Sequence, residues 1–125
     1  MDKISLPLAS KVATARGWDT TMREIMLASK SLPVLNESFR IAENKVGGCL
    51  SDVWIAKSDS GVMAWSDSKI IRGVLAVLLE KANSQNNQDE TDYEAYLTSL
   101  GMARYLSESR TSGIRHVINR LAEIR

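Results

Sequence analysis

The segment from Lys69 to Lys81 is apolar around almost its whole circumference, and this constrains the fold more than any other part of the sequence. Its large apolar side chains are Ile70, Ile71, Val74, Leu75, Val77, Leu78 and Leu79. A helix with so narrow a polar stripe lies centrally and is covered on both sides. The sequence therefore predicts a helix inside the core, with Lys69, Arg72, Ala76 and Glu80 facing solvent.

Two short segments before this helix have the composition of paired β-strands. Residues 53–58 and 62–66 are rich in aromatic and β-branched residues and include Trp54 and Trp65. Asp59-Ser60-Gly61 lies between them and is typical of a tight turn. We expect an antiparallel β-hairpin.

Helices are also predicted on both sides of the hairpin and its following helix. The first covers about residues 20–30, with Thr21 and Glu24 at the spacing of a capping box, and Pro33 prevents its continuation. Residues 36–48 are predicted to be a loop or a short edge strand.

Two more helices are predicted in the C-terminal third of the chain. One covers residues 91–100, with Thr91 and Glu94 again at capping-box spacing and Gly101 at its end. The last runs from about Thr111 to the C-terminus, and its apolar residues share one face: Ile114, Val117, Ile118, Leu121 and Ile124.

This order of elements predicts a single α+β domain over residues 1–125, with helices packed on a small antiparallel sheet. Residues 1–17 contain Pro7 and show weak periodicity, so we expect a loose N-terminal segment. The chain has 125 residues, which is enough for one core.

Charge and hydropathy argue against several function classes. The net charge is +1, whereas nucleic-acid binders usually carry a clear basic excess. No apolar run reaches the roughly 20 residues that a membrane span needs, and the first residues lack the apolar stretch of a signal peptide. We expect a cytoplasmic protein that binds neither nucleic acid nor membrane.

The chain has one cysteine, Cys49, and one histidine, His116. A zinc site or an iron–sulfur cluster usually takes four Cys or His ligands, so we expect no metal site. A single cysteine also cannot form an internal disulfide, and a free thiol stays reduced in the cytoplasm.

Cys49 follows Gly47 and Gly48 and precedes the first predicted strand. Glycine permits backbone conformations that other residues avoid, so this sequence is consistent with a thiol at the tip of a loop. Free cysteines are also frequently buried in cores, and the residues alone leave both interpretations open.

Arg110 is the second candidate site residue. Extending the last helix by one turn places it near the azimuth of Ile114, where a guanidinium beside the thiol would favour the thiolate. A surface arginine at a helix end is the alternative. The arginines at 110, 115, 120 and 125 are spaced by five residues and spiral around a helix, so we expect a solvated surface and no basic stripe.

The residues around Cys49 resemble the SufE/CsdE family of sulfur acceptors. The run Val46-Gly47-Gly48-Cys49-Leu50-Ser51-Asp52-Val53-Trp54 is similar to the family pattern of Gly-Cys, a Ser, and then Val-Trp. Further similarities, in order along the chain, are Trp18, Leu32-Pro33, Arg40, Asn44, Asp67-Ser68, Gly73-Val74-Leu75-Ala76, Leu100-Gly101-Met102 and the run from Leu106 to Ile114.

The resemblance covers about residues 18–124. Leu50 replaces a residue that is polar in many members, and Glu108 replaces a proline that is common in the SufE branch. Glu108 and the run from Arg72 to Leu79 are more similar to the CsdE branch, and the choice of branch stays open.

The resemblance implies a fold similar to that of the scaffold protein IscU, with Cys49 on a loop that can place its thiol in an apolar pocket. It implies a non-enzyme carrier that takes persulfide sulfur from a cysteine desulfurase of the SufS or CsdA type and stimulates that desulfurase. The carrier would pass the sulfur to a downstream acceptor or scaffold protein, for iron–sulfur cluster assembly or related sulfur trafficking. The chain itself would need no cofactor, because pyridoxal phosphate belongs to the desulfurase.

Two other functions are compatible with the residues. In the first, the chain is a noncatalytic interaction module with a structural, buried Cys49. In the second, it is a small thiol hydrolase, which is disfavoured because no histidine is placed near Cys49.

Overall fold

A β-hairpin and the long helix that follows it form the centre of the molecule. The computed structural model describes residues 7–47, 52–58, 61–84, 92–102 and 113–124. In chain order, the regular elements of these residues are α1 (Pro7–Thr14), α2 (Trp18–Ala28), β1 (Val53–Ser58), β2 (Gly61–Ser66), α3 (Lys69–Ser84), α4 (Tyr93–Ser99) and α5 (Gly113–Ile124). Three short 3₁₀ turns, Ser29–Ser31, Glu37–Phe39 and Ala42–Asn44, connect α2 to the residues before β1. The predicted α+β class with a small antiparallel sheet is confirmed.

The predicted hairpin is confirmed, with β1 and β2 antiparallel from Val53 opposite Ser66 to Ser58 opposite Gly61. Because side chains alternate along a strand, Val53, Ile55 and Ala64 share one face and are buried in the core. Trp54 lies directly opposite Trp65 on the other face, and both rings are partly exposed.

Asn83, near the end of α3, pairs with the outer edge of β2. The Val62 amide donates to Asn83 Oδ1 at 2.9 Å, and Asn83 Nδ2 donates to the Val62 carbonyl at 3.1 Å. Since Val62 directs both backbone groups away from β1, the carboxamide takes the place of a neighbouring strand at this residue.

α3 occupies the predicted central position. Val74, Val77 and Leu78 have no exposed surface. The prediction that Ala76 faces solvent is wrong, because Ala76 is 4% exposed and lines a cavity beside β2. Ala76 was assigned to the polar stripe because of its position between Arg72 and Glu80. The residue type alanine does not by itself distinguish a buried position from an exposed one.

Gly73 of α3 allows a close approach to α2. A Cβ atom built at Gly73 would overlap the Ile25 carbonyl oxygen and lie 2.7 Å from Ile25 Cγ2. The absence of a side chain is therefore what sets the spacing of the two helices.

The helix over residues 20–30 is confirmed as α2, but its predicted capping box is wrong. The helix starts two residues earlier, after Gly17, whose φ is 85°. Thr21 lies inside the first turn and its hydroxyl donates to the Gly17 carbonyl at 2.9 Å. A capping box is only a spacing, and here the left-handed backbone that glycine permits determines the start.

α4 is also confirmed, with a different cap. Asp92, rather than Thr91, caps the helix, and its Oδ1 accepts from the Ala95 amide at 3.0 Å. Gly101 ends the helix as predicted, with φ 83°, and the Met102 amide donates to the Leu97 carbonyl at 3.0 Å. This is the Schellman arrangement, for which glycine is the usual residue.

The N-terminal part of the chain contains a helix where the periodicity is weak. Pro7–Thr14, part of the segment over residues 1–17 that is expected to be loose, form α1 and bury Ala9 and Val12. Glu80 of α3 accepts from the Leu8 amide at 2.7 Å and from the Ala9 amide at 3.1 Å. A carboxylate at a helix N-terminus satisfies amides that have no partner within the helix.

The apolar face predicted for the last helix is confirmed in α5. Ile114, Val117 and Leu121 are each 1% exposed, and Ile118 packs against the same core. On its outer side Arg115 forms an ion pair with Glu94 of α4 at 3.3 Å. None of the helices in the described ranges is long and apolar enough to cross a membrane.

Candidate functional site

Cys49, Gly48 and Arg110 lie outside the described residues, so their roles remain predictions from the sequence. Gly47 is described and exposed, and a Cβ at this position would meet no atom within 4 Å. The geometry that bears on Cys49 is therefore that of the residues on either side of it, up to Gly47 and from Asp52.

These two flanking segments are paired with each other. Lys45 and Trp54 form an isolated antiparallel bridge, and the Val46 amide donates to the Val53 carbonyl at 2.8 Å. The chain thus leaves the sheet and returns to it at adjacent points. We call residues 43–47 and 52–54 the loop base, because they hold the two ends of the cysteine segment together.

An ion pair joins the same two segments. Lys45 Nζ lies 2.9 Å from Asp52 Oδ1, and the two side chains are 47% and 48% exposed. An ion pair with that much exposure contributes less than about 1 kcal/mol to stability. Its effect is mainly to fix the distance between the segments.

Arg120 of α5 also contacts the loop base, and the sequence analysis missed this contact. Its Nη1 donates to the Glu43 carbonyl and its Nη2 to the Lys45 carbonyl, both at 3.3 Å. Arg120 is partly exposed on the helix surface, as expected, but its guanidinium also binds two backbone carbonyls. Periodicity could not have identified it, because its partners are backbone carbonyls more than 70 residues away, which no side-chain pattern encodes.

The residues that lead into the loop base are held by local hydrogen bonds. Asn44 Nδ2 donates to the Phe39 carbonyl at 2.8 Å, and Asn36 Oδ1 accepts from the Ser38 amide at 2.9 Å. These bonds stabilise two successive 3₁₀ turns. Of the short edge strand considered for residues 36–48, the described residues show only the single bridge at Lys45.

A partly exposed aromatic surface adjoins the loop base. Trp54, which bridges to Lys45, faces Trp65 across the hairpin, and the Arg72 guanidinium lies 4.8 Å from the centre of the Trp65 ring. Arg72 Nη1 also donates to the Ser66 carbonyl at 2.9 Å. Two aromatic rings and a fixed arginine are a composition that is common where proteins bind one another.

A cavity of about 650 Å³ lies on the other side of β2. Its described lining consists of Pro7, Leu8, Ser31, Leu32, Pro33, Val34, Leu35, Asn36, Phe39, Val62, Met63, Ala64, Ala76, Leu79, Glu80 and Asn83. The two most polar of these groups already have partners, since Glu80 binds α1 and Asn83 binds Val62. No described lining residue belongs to the loop base, so the predicted apolar pocket for the thiol stays a prediction.

The described part of the chain contains no cluster of side chains that could bind a metal ion. No three His, Cys, Asp or Glu side chains come together there. His116 is exposed on α5, as expected for a surface histidine.

Comparisons with known proteins agree with the resemblance seen at Cys49. The family model for SufE, described as an Fe–S metabolism associated domain, matches residues 7–124. An uncharacterised SufE-like protein of Rhizobium etli is 31% identical over 116 residues, which cover 85% of this chain and 78% of that protein. A second SufE-like protein, from Rhizobium meliloti, is 30% identical over 83% of this chain and 81% of its own length. The sulfur acceptor protein CsdE of Escherichia coli is 27% identical over 86% of this chain and 78% of its own length.

Proposed function

The chain belongs to the SufE family, and on this premise we propose that it accepts persulfide sulfur from a cysteine desulfurase on Cys49 and relays it for iron–sulfur metabolism. The observation that carries the proposal is the family match over residues 7–124, in a chain whose single cysteine lies between the two halves of the loop base. The similarity to a protein named as a sulfur acceptor supports the same function.

The proposed transfer is a thiol exchange at sulfur. The desulfurase presents a persulfide, Cys–S–SH, and the Cys49 thiolate attacks its outer sulfur. The sulfur–sulfur bond of the desulfurase breaks and its cysteine leaves as a thiolate, while a new sulfur–sulfur bond forms on Cys49. Nothing is oxidised or reduced overall, and pyridoxal phosphate is needed only to form the persulfide on the partner.

The absence of a second cysteine suits this relay. A nearby thiol would attack the new persulfide and close a disulfide with loss of sulfide. With one cysteine in the chain this intramolecular loss cannot occur, and the sulfur remains available to a second protein. A reducing compartment such as the cytoplasm would keep the resting thiol free.

The loop base supports the proposal from the structural side. The segment containing Cys49 starts and ends at paired residues, with the Val46 amide bonded to the Val53 carbonyl. A carrier must present its thiol to two different proteins in turn, and fixed ends limit the conformations from which it does so. Arg110 remains a proposed supporting residue, whose positive charge would favour the thiolate.

Mass spectrometry of the reaction with desulfurase, pyridoxal phosphate and cysteine tests the proposal. The wild type is expected to gain about 32 Da, the mass of one sulfur atom, and Cys49→Ser is expected to gain nothing while remaining folded. Omitting the desulfurase is the control. An equal gain on Cys49→Ser, or none on the wild type, would contradict the proposal.

A parallel alkylation experiment distinguishes the carrier from an interaction module with a buried cysteine. Iodoacetamide is added with and without the desulfurase, and alkylation of Cys49 is followed by mass. A carrier reacts, and the desulfurase changes its rate of alkylation, whereas a structural core cysteine stays unreactive in both samples.

A further inference from the structure

Arg120 connects the C-terminal helix to the segment that enters the cysteine loop. Its two terminal nitrogens donate to the carbonyls of Glu43 and Lys45 at 3.3 Å each. A guanidinium presents its donors in a fixed plane, so one side chain can hold two carbonyl groups at a defined spacing.

Lys45 is the residue on which the contacts of the loop base converge. Its carbonyl accepts from Arg120, its ammonium pairs with Asp52 at 2.9 Å, and its backbone forms the bridge to Trp54. Only three residues separate Lys45 from Cys49. The hydrogen bonds of Arg120 therefore act on the backbone of the segment that leads to Cys49.

We call residues 43–47, the part of the loop base that precedes Cys49, the arm. The bridge to Trp54 alone supports this arm only weakly. Lys45 and Trp54 are an isolated pair, and a regular ladder would provide several more backbone hydrogen bonds. On the side of the arm that faces α5, the donors to the Glu43 and Lys45 carbonyls are those of Arg120. The arginine thus provides hydrogen bonds that a further strand would otherwise supply.

A comparison with Arg115 shows that the contact is specific to one position of the helix. Arg115 lies five residues earlier on α5 and pairs with Glu94 of α4, away from the loop base. Both arginines are surface residues with charged or polar partners, so they contribute similarly small amounts to folding. They differ in their partners, because those of Arg120 lie in the segment that precedes Cys49, whereas Glu94, the partner of Arg115, does not.

We propose that Arg120 is a positioning residue for sulfur transfer, which holds the arm before Cys49 in the conformation that docks with the desulfurase. The inference rests on the proposed function, since it concerns the same transfer. Without Arg120 the arm must be ordered when the two proteins meet, and part of the binding free energy is spent on that ordering.

Amide hydrogen exchange tests the structural half of this proposal without any partner. The Val46 amide, bonded to the Val53 carbonyl, is expected to exchange about fivefold faster in Arg120→Ala than in the wild type, which is the loss expected from one modest hydrogen bond. In Arg115→Ala its exchange should be unchanged. Unchanged exchange in Arg120→Ala would overturn the proposal.

The functional half is tested by persulfide uptake at increasing desulfurase concentration. Arg120→Ala is expected to need about fivefold more desulfurase for half-maximal uptake, with a maximal rate close to that of the wild type. Arg120→Lys, which keeps the charge but loses the planar pair of donors, should be intermediate. A structural role alone would lower the melting temperature and leave the half-saturating concentration unchanged, and that result would overturn the proposal.

The two proposals fail in different ways. A wild type that gains no sulfur refutes the proposed function. A wild type that gains sulfur, together with an Arg120→Ala variant of equal half-saturation, refutes only the role of Arg120. Should Arg120→Ala not fold, Arg120→Gln, which replaces the guanidinium with a shorter carboxamide that has a single NH2 group, carries the same comparison.

Discussion

Replacing Gly73 by alanine should destabilise the protein by forcing α2 and α3 apart. The added Cβ would overlap the Ile25 carbonyl oxygen and lie 2.7 Å from Ile25 Cγ2 and 2.8 Å from the carbonyl carbon. Backbone atoms cannot move aside by changing rotamer, so the helices must separate. Ile25 and Val74 have no exposed surface, which means that this separation disturbs the centre of the core.

The size of the effect follows from two opposing contributions. Overpacking a core costs about 1–3 kcal/mol, and a clash with backbone belongs at the upper end of that range. Alanine in place of glycine inside a helix regains about 1 kcal/mol. We therefore expect a loss of about 2 kcal/mol in the free energy of unfolding, and a melting temperature lower by roughly 6–10 °C for a domain of this size.

Urea unfolding followed by tryptophan fluorescence measures this loss, and two other glycines provide controls. Gly101→Ala adds a Cβ in open space but keeps a φ of 83°, so it should cost about 1–2 kcal/mol. Gly47→Ala has neither problem and should change stability by less than about 0.5 kcal/mol. If Gly73→Ala were as stable as Gly47→Ala, the steric explanation of the helix spacing would be wrong.

Three further predictions follow from contacts of α3 and α4. Asn83→Ala leaves the Val62 amide and carbonyl without partners and should lower the free energy of unfolding in urea by about 1–3 kcal/mol. Asn83→Asp keeps the acceptor for the Val62 amide and should lower it less. Equal stability of the wild type and both variants would contradict this. Glu80→Gln replaces the charged acceptor of the α1 amides with a neutral one, so the free energy of unfolding in urea should fall by about 1 kcal/mol, and unchanged stability would contradict the role of this contact. Burial, with a smaller contribution from Glu80, raises the pKa of Tyr96 to about 12. This pKa lies above the ordinary value of 10.0, so the folded state holds the proton more tightly, and the resulting stability is present below pH 10 and is lost between pH 10 and 12. Tyr96→Phe should abolish that part of the loss and remove an absorbance change at 295 nm centred near pH 12; an unchanged titration would refute the assignment.

The sequence predicted those elements whose signal is periodic or local. The hairpin followed from two short β-rich segments around Asp59-Ser60-Gly61, and the α5 face followed from Ile114, Val117 and Leu121. The positions of the helix ends were less predictable. Thr21 and Thr91 have the spacing of capping residues, but Gly17 and Asp92 determine where the helices begin, because caps depend on the backbone conformation of one residue.

Long-range contacts explain the other differences. The periodicity of Pro7–Thr14 is weak, yet the segment is helical, because Glu80 binds its first amides from a distance of more than 70 residues. Ala76 was expected to face solvent and is instead buried in the wall of a cavity that is lined mostly by residues from distant parts of the chain. Neither effect has a signature near the residue concerned.

The sequence selects Cys49 as a candidate, whose role stays a prediction, but it does not predict the geometry of the segments around it. Cys49 could be selected because it is the single cysteine and because its neighbours resemble a family motif. The pairing of Lys45 with Trp54 has no counterpart in the sequence pattern, since one bridge has no period. Arg110 was selected by helical phase and stays a prediction, while Arg120 was dismissed by the same criterion and proved to contact the loop base.

The pairing of Asn83 with Val62 has a consequence for how the protein behaves at high concentration. The outer edge of a two-stranded sheet offers unpaired amides and carbonyls on which a strand from another molecule can grow, and this is a common start of aggregation. At Val62 the carboxamide of Asn83 occupies both groups, and at Ser66 the Arg72 guanidinium occupies the carbonyl. An incoming strand would have to displace two side chains held by the rigid helix α3. We therefore expect the helix that fills the core also to hinder edge-to-edge pairing of β2 with another molecule at these two residues.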